Sequence, residues 1–174
     1  MSQAAVDGAC PACGFDYAAG TLADVVASLT EHAGAIAATV AGAGDAVRAR
    51  PDPDTWSALE YECHVRDVLA AQRGRIALTL AEDRPTYAPM GRDELVIVRQ
   101  YNAQDPSVVA TELSHEVALF AAAALALSPI ELGRTGTYPF PAPNERPLAW
   151  LVHHTAHELQ HHLDDITRGL AKPV

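Results

Sequence analysis

The chain has 174 residues, 49% hydrophobic and 20% charged, which is enough for about one globular domain with its own core. Asp and Glu number 22 against 12 Lys and Arg, and the net charge of −10 argues against binding to nucleic acid or to an anionic membrane, since both need a basic face. No uninterrupted apolar run reaches the roughly 18–20 residues of a spanning helix, and no signal-peptide pattern begins the chain. We therefore expect a cytoplasmic protein that binds neither nucleic acid nor a membrane.

Residues 1–19 are predicted to form a short N-terminal extension that carries the segment Cys10-Pro-Ala-Cys13-Gly. In the cytoplasm, these two cysteines and Cys63 are expected to be reduced or metal-bound, not paired in disulfides. The CxxC segment is half of a zinc knuckle, and a structural zinc requires four ligands. We expect Cys10 and Cys13 to be structural or incidental, and Cys63 to be a buried, inert thiol.

Residues 20–174 are predicted to form one helical domain, because apolar residues recur at steps of three and four along several segments. Ser57 and Glu60 form a capping-box pattern at the start of the second segment, and Asp105-Pro106 is a strong helix-start signal. The predicted helices run from about Thr21 to Arg50, Ser57 to Glu82, Arg92 to Gln104, Pro106 to Leu127 and Pro147 to Gly169.

Residues 128–146 contain four prolines and two glycines, so we predict an irregular crossover with a short extended segment around Thr135 to Phe140. Elsewhere no alternation of apolar and polar residues is long enough to build a sheet. Four long helices and one proline-rich crossover before the last helix indicate an all-α protein, a four-helix bundle.

The last predicted helix is rich in histidine: five of the eight histidines of the chain fall within residues 153–162. Neutral imidazole is the commonest ligand of transition metals, and residues four apart lie one above the other on a helix. A plain polar face is the alternative explanation. The pairs with this spacing are His153/His157, His154/Glu158, His157/His161 and Glu158/His162.

Helix geometry ranks these pairs. At about 100° per residue, Glu158 and His162 lie at the edge of the apolar stripe and point into the bundle, whereas His157 and His161 lie nearly opposite and are expected to meet solvent. A carboxylate turned toward a core needs a partner, which a divalent metal would provide. A surface histidine, His157 or His161, could instead complete the zinc knuckle of Cys10 and Cys13. Candidates for a third ligand beside Glu158 and His162 are His32, His64 and His115.

Two segments carry a resemblance to a known family. The segment Trp56-Ser-Ala-Leu-Glu-Tyr-Glu-Cys-His64 resembles the second helix of the DinB/YfiT-like superfamily, and Glu158-Leu-Gln-His-His162-Leu-Asp-Asp165-Ile is similar to its second metal-ligand block. The resemblance covers about residues 21–170. It implies a four-helix bundle, usually up-up-down-down, and a metal site formed by His64, Glu158 and His162.

Such a site would have three protein ligands and an open fourth position, which is typical of catalytic metals. Zinc is the first expectation for imidazole and carboxylate ligands, and nickel, manganese or iron are alternatives. Asp67 and Asp165 each follow a ligand histidine by three residues. They are candidates for orienting the ligands by hydrogen bonds, with ordinary solvated helix charges as the alternative.

The resemblance also implies a function. Several members of the family transfer low-molecular-weight thiols such as mycothiol or bacillithiol, and a metal lowers the pKa of a coordinated thiol or water. We therefore expect a thiol S-transferase or related detoxification enzyme whose partners are a small thiol and an electrophile.

A homodimer is compatible with the sequence. Because the chain ends soon after Ile166, we expect it to lack the C-terminal domain of maleylpyruvate isomerase and not to isomerise. A metal-binding or stress protein without turnover and a metal-dependent hydrolase are the alternatives.

Overall fold

The computed structural model describes residues 8–172. Helical periodicity and start signals produce the expected long helices, and the all-α prediction is confirmed. Two short 3-10 segments lie at Gly44–Arg48 and Tyr101–Ala103. The elements are α1 (Leu22–Gly42), α2 (Ala58–Ala81), α3 (Arg92–Val98), α4 (Pro106–Leu125), α5 (Pro129–Leu132), β1 (Thr135–Tyr138), β2 (Asn144–Pro147) and α6 (Leu148–Leu170).

The helix starts follow the signals in the sequence. Ser57 and Glu60 form the predicted capping box of α2, and the Asp105 side chain caps α4, whose first residue is Pro106. The predicted helix over 92–104 is interrupted instead: α3 ends at Val98, and Gln100 adopts a left-handed backbone conformation with φ of 48° before the 3-10 segment. The proline-rich segment contains the short helix α5 and an antiparallel hairpin of β1 and β2.

The four long helices enclose one core. Helix α1 packs against α4 and α6, α2 also packs against α4 and α6, and α1 and α2 lie at opposite corners. This arrangement makes α2 and α6 direct neighbours, which is what the candidate site requires. Fully buried members of the core are Leu29, Ile36, Leu59, Leu69, Leu113, Phe120, Leu151 and Leu159.

Contacts at one end of the bundle fix the helix directions. The Lys172 ammonium after α6 lies 3.3 Å from the Asp52 carboxylate, and Ser57 at the start of α2 donates to the Asn102 side chain at 2.9 Å. Asn102, just before α4, also donates to the carbonyl of Arg48, just after α1. The ends of α1 and α6 therefore meet the starts of α2 and α4. The order is up-down-down-up, not the up-up-down-down that the resemblance implied. Apolar periodicity could not reveal the difference, because it carries no information on helix direction.

The same contacts correct the position of the crossover. Because α2 and α4 are parallel, the connection over residues 82–105, which includes α3, runs the length of the bundle. The proline-rich segment joins the antiparallel helices α4 and α6 and stays at one end, where Arg134 donates to the carbonyl of Glu82 at 2.8 Å.

Helices α1 and α4 are also long and apolar enough to cross a membrane by length and composition, with mean hydropathies of 1.2 and 1.4. The criterion of an uninterrupted apolar run excluded both helices, because each contains isolated polar residues. A mean hydropathy over 18 residues stays high in spite of them. Core helices of soluble proteins meet the same criterion, and both helices supply core side chains. The absence of a membrane partner therefore remains a prediction.

A glycine in β1 generates a prediction about stability. A Cβ atom at Gly136 would lie 2.3 Å from the hydroxyl oxygen of the buried Tyr87, which itself hydrogen-bonds Thr79. Gly136→Ala is expected to lower the free energy of unfolding by about 1–3 kcal/mol through overpacking. Gly34→Ala, at an exposed position inside α1 with open space around it, should raise it by about 0.5–1 kcal/mol. Urea denaturation of both variants checks the prediction, which equal effects would contradict.

A second prediction concerns Glu62 in α2, whose buried carboxyl oxygens have no hydrogen-bond partner among the described residues. Burial raises the pKa of Glu62 to about 8, so the folded state prefers the protonated form. This contribution to stability is present below the ordinary pKa of a glutamate and is lost as the pH rises toward 8. Glu62→Gln should therefore stabilise the protein more at pH 8 than at pH 5, as compared by urea denaturation. Parallel pH profiles for the two proteins would show that Glu62 is ionised in the fold.

Candidate metal centre

His64 lies in the second turn of α2, on the side that faces α6. Its ring packs edge-on against Trp56 with 5.0 Å between ring centres, and its ring centre lies another 5.0 Å from that of His162 on α6. The side chain is buried. Burial also lowers the pKa of His64 to about 3, so that the imidazole is neutral, which is the form that binds metals.

Glu158 and His162 reach the same place from α6. The Nε2 atom of His162 lies 3.6 Å from Oε2 of Glu158, as expected for residues one turn apart. One potential ligand atom from each of His64, Glu158 and His162 lies within 4.8 Å of the others. The structure thus brings the three predicted residues together, and of the earlier candidates it selects His64 from among His32, His64 and His115. Their role as metal ligands is a proposal.

The charges around Glu158 favour a cation. Although burial alone would raise the pKa of Glu158, the His162 imidazole 3.6 Å away and the neighbouring imidazoles of His154 and His64 hold it well below its ordinary value. Burial likewise disfavours a charged His162, but the hydrogen bond to Asp165 and the ion pair with Glu158 raise its pKa to about 9. The position between these groups therefore attracts positive charge, from either a proton or a metal ion.

Two further features fit a metal. The Nδ1 atom of His64 is buried and has no hydrogen-bond partner among the described residues, which is costly for a polar atom. On α6, Nδ1 of His162 lies 3.0 Å from Oδ2 of Asp165, which leaves Nε2 directed toward Glu158. A carboxylate behind a histidine is the usual way to orient a metal-ligating imidazole, so the geometry supports the role predicted for Asp165.

The structure does not place Asp67 in that role. Its carboxylate accepts hydrogen bonds from Arg66, Arg99 and the hydroxyl of Tyr101 at 2.5–2.9 Å, so it belongs to an ion-pair network on another side of α2. The spacing from His64 predicted that Asp67 would hydrogen-bond His64, but its carboxylate is instead bound by Arg66 and Arg99. Asp67 is therefore corrected from a candidate at the site to a structural partner of basic residues.

A cavity of about 430 Å³ opens beside the three residues, with His64 and Glu158 in its wall. A small molecule could therefore reach the open position of a metal held there. Arg75 and Arg92 contribute positive charge to the wall, Asp93 and Glu94 contribute negative charge, and Tyr138 contributes an aromatic surface. The Arg75 guanidinium carbon lies 4.7 Å from the centre of the Tyr138 ring.

His154 is a cavity residue that the ranking of pairs left aside. It lines the wall, and its Nε2 atom lies 3.8 Å from Oε1 of Glu158. Burial lowers its pKa, and its Nδ1 atom lies 2.8 Å from the Tyr17 hydroxyl. The signal in the sequence was the i,i+4 relation to Glu158, which places His154 one turn before it on the same face.

The expectation that His157 and His161 meet solvent is wrong. His157 is only 4% exposed, and His161 is half-buried. The N-terminal segment covers both, with the Phe15 ring 5.6 Å and the Tyr17 ring 5.4 Å from His157 between centres. A helical wheel detects the bundle core but cannot detect a segment that folds over the outer face of the helix.

Comparisons with known proteins agree with this architecture. The sequence model of the DinB superfamily matches residues 28–166, which confirms the resemblance noted in the sequence. No curated protein matches the sequence significantly.

Two solved structures share the fold. YfiT from Bacillus subtilis, described as a probable metal-dependent hydrolase with an unusual four-helix bundle topology, superposes with a TM-score of 0.72 and 17% identity over 84% of each chain. The mycothiol-dependent maleylpyruvate isomerase gives a TM-score of 0.69 and 13% identity over 86% of this chain and 62% of the other. At these identities the likeness shows the fold alone.

The geometry predicts which substitutions remove the metal. His64→Ala and His162→Ala should each weaken binding at this site by more than about 100-fold, because a site with two ligands retains little affinity. Glu158→Gln keeps the shape, removes the charge and should also weaken binding. Elemental analysis after dialysis should show one metal equivalent lost in each variant relative to the wild type.

The matched control is His153→Ala, because His153 lies on the same helix and its Nδ1 atom is 2.9 Å from the carbonyl oxygen of Ala149, outside the site. It should keep the full metal content. Wild-type metal content in His64→Ala would exclude the proposed ligand set.

Proposed function

The chain belongs to the DinB superfamily, and we propose that it is a metal-dependent S-transferase that joins a low-molecular-weight thiol, such as mycothiol or bacillithiol, to an electrophile. One observation carries the proposal: the donor atoms of His64, Glu158 and His162 converge at the wall of a cavity large enough for a small molecule. Three protein ligands leave a position open for a ligand from solution, as in catalytic sites and unlike structural ones.

A divalent metal would be held by His64, Glu158 and His162, with Asp165 orienting His162. Zinc suits two imidazoles and a carboxylate, and nickel, manganese or iron are alternatives. When bound, the metal lowers the pKa of a coordinating thiol or water near neutral pH.

The residues of the cavity then bind and orient the reactants. Arg75 and Arg92 provide positive charge for carboxylate or other anionic groups of a thiol or its acceptor. Tyr138 and Phe140 contribute aromatic surface to the wall, against which apolar parts of a reactant can pack. His154, with its lowered pKa, is neutral near pH 7 and can accept the proton that a thiol releases.

The similarity to the mycothiol-dependent isomerase supports a small thiol as one reactant, since that protein has the same fold. Isomerisation itself is not proposed, because the chain spans only 62% of the length of that protein.

A metal-dependent hydrolase is the second candidate. The observation in its favour is His154, a neutral imidazole 3.8 Å from Glu158 in the cavity wall, which could serve as a base toward water instead of a thiol. The fold shared with YfiT, a probable metal-dependent hydrolase, is consistent with this alternative.

An assay with monobromobimane tests the proposal. The thiol sulfur would attack the carbon that carries bromine, a carbon–sulfur bond would form, and bromide and a proton would leave. The metal-loaded protein should accelerate this reaction above the uncatalysed rate with mycothiol or bacillithiol. His162→Ala should abolish the acceleration, and Asp165→Asn should reduce it about 10- to 100-fold with the fold intact.

His153→Ala should retain the full rate. Cleavage of a p-nitrophenyl ester without thiol, lost in His162→Ala, would favour the hydrolase instead. Tight binding of a thiol with neither product would indicate a binding protein without turnover.

A further inference from the structure

The N-terminal cysteines form a tight turn directly over α6. The amide of Gly14 donates to the carbonyl of Cys10 at 2.7 Å, and the amide of Cys10 donates to the carbonyl of Phe15 at 2.7 Å. Gly14 has a φ of +72°, a conformation that favours glycine and lets the chain turn back immediately after Cys13. Such a turn brings two thiols close together, as in the knuckle of a zinc site.

Helix α6 offers two imidazoles to this turn. His157 and His161 are four residues apart and project on one face, with 5.4 Å between their ring centres. The Gln160 side chain fixes the turn on the helix by donating to the carbonyl of Cys13 at 2.7 Å. One potential ligand atom from each of Cys10, Cys13, His157 and His161 lies within 4.8 Å of the other three.

The imidazole of His157 makes no hydrogen bond to the described residues. It is 4% exposed, and neither Nδ1 nor Nε2 makes a hydrogen bond within the described part of the chain. A buried polar ring without a hydrogen bond is uncommon and costly. A cation at the centre of the cluster would coordinate one of its nitrogens.

His161 is oriented in the same direction. Its Nδ1 atom lies 3.9 Å from Sγ of Cys10, and its Nε2 atom lies 3.7 Å from Oδ2 of Asp165. One nitrogen thus faces the thiols while the other faces a carboxylate, the arrangement that orients metal-ligating histidines.

We infer that Cys10, Cys13, His157 and His161 bind a Zn²⁺ ion in a structural site separate from the cavity site. Two thiolates and two imidazoles are a preferred ligand set of zinc, and four protein ligands close the coordination sphere. Zinc–ligand distances of about 2.0–2.3 Å in a tetrahedron require donors about 3.3–3.8 Å apart. Donors already within 4.8 Å of one another need to close by at most about 1–1.5 Å.

The site would secure the N-terminal segment to α6 and so support the cavity. Tyr17 follows the knuckle and contacts His154 in the cavity wall at 2.8 Å. Asp165 lies between the two clusters, because its Oδ2 atom is 3.0 Å from Nδ1 of His162 and 3.7 Å from Nε2 of His161. The inference does not depend on the proposed function, since it concerns metal content and not turnover.

Cobalt substitution of the full chain tests the site, because this cluster contains sulfur ligands and the His64, Glu158 and His162 cluster does not. Reduced protein loaded with Co²⁺ should show thiolate-to-cobalt charge-transfer absorption and the intense visible bands of tetrahedral cobalt. Cys13→Ser and His157→Ala should lose or strongly weaken the charge-transfer band and should lower zinc content from about two to about one per chain. His64→Ala should keep the band while losing the other equivalent.

Cys63→Ser is the matched control, since Cys63 is buried in α2 and its Sγ contacts the carbonyl of Tyr101 at 3.8 Å. It should keep both the absorption and the full zinc content. A second measurement on the wild type does not rely on variants folding: Zn²⁺ should protect two thiols of the reduced, metal-free protein from alkylation. Absent charge transfer in reduced wild type, equal alkylation with and without Zn²⁺, or a stable disulfide between Cys10 and Cys13 under reducing conditions would overturn the inference.

Discussion

The carboxylate of Glu158 sets the main electrostatic constraint of this molecule. It lies at the wall of the cavity with 24% of its side chain exposed, and nitrogen atoms of His154, His157 and His162 lie 3.6–3.8 Å from its oxygens. A charge in such a poorly solvated position is costly unless positive or polarisable groups surround it. The histidines of α6 nearest to Glu158 provide such groups around its carboxylate. A metal ion held by Glu158 would provide a further positive charge.

Helix α6 therefore has two polar edges beside one apolar stripe. One edge carries Glu158 and His162 toward α2 and the cavity, while the other carries His157 and His161 toward the N-terminal segment. Asp165 lies between the edges and contacts a histidine of each. A structural ion on the outer edge would restrict the rotation of His161 and keep Asp165 in place behind His162. The two clusters share one helix and one carboxylate, so the rigidity of one is expected to benefit the other.

The sequence predicted the parts of this structure that depend on local patterns. Capping residues such as Ser57 and Asp105 fixed the helix starts, and the wheel of α6 selected Glu158 and His162 over His157 and His161 as the pair that faces α2. It failed for His157, because burial there comes from Phe15 and Tyr17, more than 130 residues away in the chain. The three-residue spacing from His64 gave a wrong prediction for Asp67 for a similar reason, since Arg99 and Tyr101 approach Asp67 from another element. Contacts between distant segments leave no periodic trace.

The helix directions show how such a long-range feature decides the site. His64 is six residues after the start of α2, about 9 Å along its axis, and His162 is eight residues before the end of α6, about 12 Å from that end. Antiparallel packing brings these two levels together, so that the rings meet at 5.0 Å. In a parallel pair, His64 would face the first turns of α6, near Leu151 and His154, and Glu158 would have no imidazole from α2. Antiparallel packing of α2 and α6 is thus a requirement of the three-residue site. The up-down-down-up order meets it, and the connection over residues 82–105, which contains α3, starts α4 parallel to α2 in that order.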